Sequence, residues 1–106
     1  MITTLPDRES ARNLASGLVS ARLAACVNML GDCESIYRWN GVVESAAEVV
    51  LLIKTQAALY PAVERYILDN HPYQLPEVVA ISPASGSPAY LQWILNETRA
   101  RGGSIP

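Results

Sequence analysis

The chain has 106 residues, half of them apolar, which allows one domain with a core of its own and leaves no room for two. Its net charge is −2 and it holds a single lysine, so it has no basic stripe to neutralise phosphates and nucleic acid is not an expected partner. No apolar run nears the roughly 20 residues of a membrane span, and the opening MITTLPDRES lacks the zones of a signal peptide.

Two cysteines without an export signal suit a reducing compartment, and the expected location is the cytoplasm. Cys26 and Cys33 are seven residues apart, about 20 Å if extended, so both read as free thiols.

Met1–Leu5 reads as a short extended start, closed by Pro6. Asp7 is placed to N-cap a helix over Arg8–Arg22, with Ala11, Leu14, Ala15, Leu18 and Val19 on one apolar stripe and Gly17 off it. Ala24–Leu30 follows as a strand, and Gly31-Asp32 marks a turn or bulge. Ile36–Trp39 and Val42–Thr55 then flank Asn40-Gly41, the pairing a type I′ hairpin turn requires because both residues take φ > 0. The second arm ends in VVLLI, apolar at both parities, so it needs cover on both faces.

A second helix is expected over Ala57–Asn70, with Pro61 in its first turn and Leu59, Val63, Tyr66 and Ile67 inward. His71-Pro72-Tyr73-Gln74-Leu75-Pro76 is barred from helix by its prolines. Glu77–Ser82 reads as a strand. Ser87-Pro88 opens a last helix reaching about Arg99, with Tyr90, Leu91, Ile94 and Leu95 available for packing, and residues 100–106 read as a mobile tail.

This order is β-α-β-β-α-β with a trailing helix over one domain, residues 1–106. It predicts an α+β fold of the ferredoxin-like, split βαβ kind, an antiparallel sheet with helices on one face. Asn28 and Lys54 are the polar residues of the central strands, so their parity should face away from the helices. That face carries Cys26, Asn28, Leu30, Glu48, Val50, Leu52 and Lys54, too apolar to stay in water, and predicts a homo-oligomer.

The segments LAACVNML, SIYRWNG, EVVLLIKT, HPYQLPEVVAI and PAYLQWI resemble, in order and spacing, the CutA divalent-cation-tolerance proteins, over Thr4 to about Thr98. The resemblance implies a ferredoxin-like protomer in a tight homotrimer similar to the PII signalling proteins. It further implies tolerance to copper and other divalent cations, with metal binding and no established enzymatic reaction. The chain departs from some relatives in a short first strand and in Thr3, where they carry a cysteine.

Cys26 and His71 are the soft-metal candidates for copper or zinc, with Glu48 and Glu77 as carboxylates that could complete a site, alone or with a neighbouring subunit. Against this, Cys26 reads first as a buried structural thiol, ahead of a ligand, and His71 reads equally as a cap on the second helix. Lys54 should be paired, with Glu48 or Glu77, or serve as an anchor for a small anion. The resemblance favours an intersubunit cleft of Tyr37, Trp39, Lys54, His71, Tyr73 and Glu77. Tyr37 and Trp39 share a parity and suit subunit contact. Trp93 is expected in packing. No phosphate loop, nucleophile elbow or HExxH motif is present. An enzyme would have to use His71 as base with Glu77 orienting it.

Overall fold

A computed structural model describes residues 1–99, and the tail expected over 100–106 lies outside them. Asn40 and Gly41 both take positive φ, 50° and 79°, and fold the chain into a hairpin of β2 (Cys26–Trp39) and β3 (Val42–Lys54). β1 (Ile2–Leu5) lies antiparallel along the other edge of β3, giving the order β1-β3-β2. The hairpin projects beyond the helices, and the molecule measures 50 × 29 × 24 Å.

β2 is one strand rather than two. The stretch read as a turn at Gly31-Asp32 is a bulge inside the ladder, with Asp32 at φ 53°. Leu30 pairs with Val50 and Cys33 with Glu48, so β2 spends one extra residue there.

Asp7 caps α1 (Arg8–Ser20), its carboxylate accepting from Ser10 N–H at 2.7 Å. These bonds hold the Asp7 carboxyl below its ordinary pKa. α1 ends two residues short of the expected Arg22, where Arg22 turns into the left-handed region and Leu23 N–H closes onto Leu18 C=O at 3.0 Å. Ala57–Leu59 is a 3₁₀ turn, and α2 (Tyr60–Asn70) carries Pro61 in its first turn. Ser87 caps α3 (Pro88–Glu97).

Parity sorts the sheet as expected. Val49, Leu51 and Ile53 are buried with Leu14, Leu18, Val63 and Ile67 of α1 and α2, whereas Val50, Leu52 and Lys54 face away. Gly17 proves to be more than a weak spot in α1. A Cβ there would lie 1.9 Å from the Tyr66 hydroxyl, so its lack of a side chain lets α2 approach. On α3 only Ile94 is buried; Tyr90, Leu91, Trp93 and Leu95 are exposed. Arg22 holds the end of α3, donating to Asn96 C=O at 3.1 Å while its own carbonyl accepts Arg99 N–H at 2.9 Å.

Glu77–Ser82 does not form the expected strand. Ile2 and Val79 exchange both backbone bonds, at 2.8 and 3.2 Å, as an isolated bridge on the free edge of β1. The next bonded pair in an antiparallel ladder would join Thr4 to Glu77. His71 Nε2 already occupies the Thr4 carbonyl at 2.7 Å, so the ladder stops.

Candidate functional site

The prolines around His71 and Tyr73 break helix α2 and send the chain across the end of β1. His71 is fixed at both ring nitrogens: Nδ1 accepts from Tyr73 N–H at 3.1 Å and Nε2 meets the Thr4 carbonyl. A carbonyl can only accept, so Nε2 carries the proton and the ring is neutral. Burial pushes the His71 pKa down, opposed by the Thr4 carbonyl and the Glu48 charge.

Tyr73 stacks beside that ring at 4.9 Å, tilted 44°, and donates its phenol to Glu48 Oε2 at 2.8 Å. Burial raises the Tyr73 pKa, and the bond to the Glu48 carboxylate raises it further, with smaller contributions from Tyr37 and Asp7. The result is a relay from β1 through His71 and Tyr73 to Glu48 on the outer face of β3. Glu48 stands opposite Cys33 in the ladder.

The other expected members lie elsewhere. Lys54 is six residues along β3 from Glu48, about 20 Å in a strand. Its ammonium bonds to the Asn28 side-chain oxygen, not to Glu48 or Glu77 as expected. Cys26 is the ladder partner of Lys54 and so sits at that same far end, half-buried. Glu77 is exposed and makes no hydrogen bond to His71, which removes the base–orienter pair. Trp39 lies beside the hairpin turn, paired with Val42. Of the residues expected to share one cleft, a protomer therefore joins His71 and Tyr73, with Tyr37 close enough to act on Tyr73. Trp39, Lys54 and Glu77 stand apart.

Among the described residues no three His, Cys, Asp or Glu side chains converge as a metal site. Two clefts open on the protomer, one beside the relay and one away from it. One of about 370 Å³ runs beside His71 between the α1 and α2 residues Ser10, Asn13, Asp69 and Asn70. The other, of about 440 Å³, lies at the Lys54 end of the sheet under α3. Sequence reasoning missed Thr4, whose backbone carbonyl leaves no trace in residue type, and it placed Asn28 on the outer face with Lys54 without pairing the two.

The family model for the CutA1 divalent ion tolerance protein matches residues 1–97. The chain belongs to the CutA family. It is 43% identical over 96 residues to the chloroplastic CutA protein of Arabidopsis thaliana, covering 91% of this chain and 53% of that protein. It is 42% identical over 98 residues to the divalent-cation tolerance protein CutA of Thermus thermophilus, covering 92% and 95%. The chain spans a little over half the length of the curated plant and mammalian relatives it matches first, 53% to 57%. The solved Thermus thermophilus structure superposes with a TM-score of 0.90 over 92% of this chain and 95% of that one, at 42% identity. CutA from Xylella fastidiosa gives 0.89 at 43% identity, over 92% and 94%. The family is named for tolerance to divalent cations and not for a reaction. No helix among the described residues is long and apolar enough to cross a membrane.

Proposed function

We propose that the protein serves divalent-cation tolerance as a non-enzymatic cytoplasmic homotrimer of ferredoxin-like, PII-like protomers that binds metal, copper foremost and zinc next, with low to moderate affinity. The observation that carries this is the uncovered sheet. Ile2, Leu30, Val50 and Leu52 form an apolar band on the face away from α1 and α2. Beyond the bulge the hairpin is open on both sides, with Trp39 and Val42 on one and Ile36 (73% exposed) and Val43 (60% exposed) on the other. Burying such side chains is worth about 1.5–3 kcal/mol each, which only other copies can supply. The strand order and the Ile2–Val79 bridge are what a split βαβ sheet with a residual fourth strand presents.

Metal ligands are then drawn from Cys26, His71, Glu48 and Glu77 across subunit boundaries, because a single protomer does not gather them. Sedimentation velocity and copper titration test this together. A trimer is expected, with copper affinity reduced in Cys26→Ser or His71→Ala. A well-folded monomer at micromolar concentration, or affinity unchanged in both variants, refutes it.

A second reading is a PII-like sensor that binds a small anionic effector in an intersubunit cleft. Lys54 supports it, being half-buried beside the 440 Å³ cleft with a neutral partner. Tyr37, Trp39 and Tyr73 would come to that cleft from a neighbouring copy. Loss of anion binding in Lys54→Ala with copper binding intact is the expected sign.

A further inference from the structure

Tyr73 commits both of its donors to residues that stand as candidate metal ligands. Its backbone N–H donates to His71 Nδ1 at 3.1 Å, and its phenol donates to Glu48 Oε2 at 2.8 Å. Pro72 stiffens the chain between His71 and Tyr73, and the phenol anchors the far end of the tyrosine.

A neutral imidazole offers a metal ion one lone pair, and the bond made by the other nitrogen decides which. Here Nε2 keeps its proton for the Thr4 carbonyl, so the lone pair is on Nδ1, under the Tyr73 N–H. Histidines that hold metals donate their second ring nitrogen in just this way, so the donor set fits. Ligation through Nδ1 breaks one hydrogen bond, that from Tyr73 N–H. Ligation through Nε2 breaks two, because it gives up Thr4 and moves the ring proton to Nδ1, against the same N–H. The 370 Å³ cleft that borders His71 lies between α1 and α2. An approach from there does not depend on the apolar sheet face being open, since that face lies on the other side of the sheet.

We propose that Tyr73 is a gate on His71: its N–H masks Nδ1, its phenol on Glu48 holds the mask in place, and Thr4 sets the nitrogen a metal takes. Tyr73 is then a positioning residue that lowers metal affinity, not a ligand. The proposal rests on the reading of His71 as a ligand and adds what controls it.

The test is calorimetric titration of the full chain, in its solution assembly, with copper(II). Wild type, Tyr73→Phe, His71→Ala and the double variant are compared. Tyr73→Phe loses the anchoring hydrogen bond and is expected to bind copper about fivefold more tightly. His71→Ala should bind more weakly, and adding Tyr73→Phe to it should bring no tightening. Proton–nitrogen correlation NMR of the metal-free protein should place the His71 proton on Nε2 in wild type and in Tyr73→Phe. Copper affinity unchanged or weakened in Tyr73→Phe, with His71→Ala still weakening it, overturns the gate and leaves His71 a ligand. A His71 proton on Nδ1 overturns the gate as well. Affinity unchanged in His71→Ala removes the ligand itself, and the gate falls with that part of the proposed function.

Discussion

Tyr73 donates its phenolic proton to the Glu48 carboxylate at 2.8 Å, joining the loop after α2 to the outer face of a strand 25 residues earlier. The same loop is pinned to β1 through His71 and Thr4, so three separate elements depend on two neighbouring side chains. Removing the phenol in Tyr73→Phe keeps the ring and loses the bond. A cost of about 1 kcal/mol at neutral pH is expected, read as a lower urea midpoint. The raised pKa adds a pH signature. The fold favours the protonated phenol, so that stability is complete below the ordinary value of 10.0 and is lost as pH rises above it. Tyr73→Phe should lack this alkaline component.

His71 gives the opposite signature. Its pKa is lowered in the fold, so the unfolded chain binds the proton more readily. The stability contribution is complete above 6.5 and is lost as pH falls from there toward the depressed folded value. Protonation would also place a hydrogen on Nδ1, where Tyr73 N–H already donates. Urea midpoints of the metal-free protein should fall between about pH 7 and pH 5, and His71→Gln should flatten that dependence.

Thr3 is fully buried and its hydroxyl has no hydrogen-bond partner among the described residues. An orphaned buried hydroxyl costs about 1–3 kcal/mol, and valine has nearly the same shape. Thr3→Val is therefore expected to stabilise the protein by about 1 kcal/mol, measured as a rise in Tm. A fall in Tm would mean that the hydroxyl is satisfied.

For Gly17, two effects compete. Alanine in a helix interior is better than glycine by about 1 kcal/mol. Here its Cβ would displace the Tyr66 hydroxyl, 1.9 Å away, and disturb a ring packed on the core. Gly17→Ala alone should destabilise by about 1 kcal/mol, and in a Tyr66→Ala background it should stabilise by up to about 1 kcal/mol. Equal effects in both backgrounds would show that the helices do not meet there.

Much of this fold was legible because local chemistry and global placement agree. Asn40-Gly41, Asp7 and Ser87-Pro88 each do locally what their residue types require, and the parity of Asn28 and Lys54 assigns the faces of the sheet. PEVVAIS misleads because a run apolar at both parities says nothing about whether a neighbour's backbone is free. The decisive group is the Thr4 carbonyl, taken by an imidazole 67 residues away. The site was legible in part for the same reason. His71, Tyr73 and Glu48 could be named from the sequence, but the phenol that links the last two depends on where the prolines steer the loop. Lys54 had to find a partner, and a neutral amide satisfied it in place of a carboxylate. Exposed Trp93 and Leu95 were expected to pack, and within one protomer they do not.

The bulge in β2 reconciles two incompatible rulers. The two-residue turn at Asn40-Gly41 sets Trp39 against Val42 and, carried on unbroken, would set Asn28 against Ile53, beneath the helices. The core instead needs Asn28 against Leu52, with the amide turned outward. The surplus residue near Asp32 works as a slip joint between these demands. Shortening the chain by one at Asp32 would straighten the arm and keep every side chain on its present side, so β2 can lose a residue there without turning its greasy flank inside out.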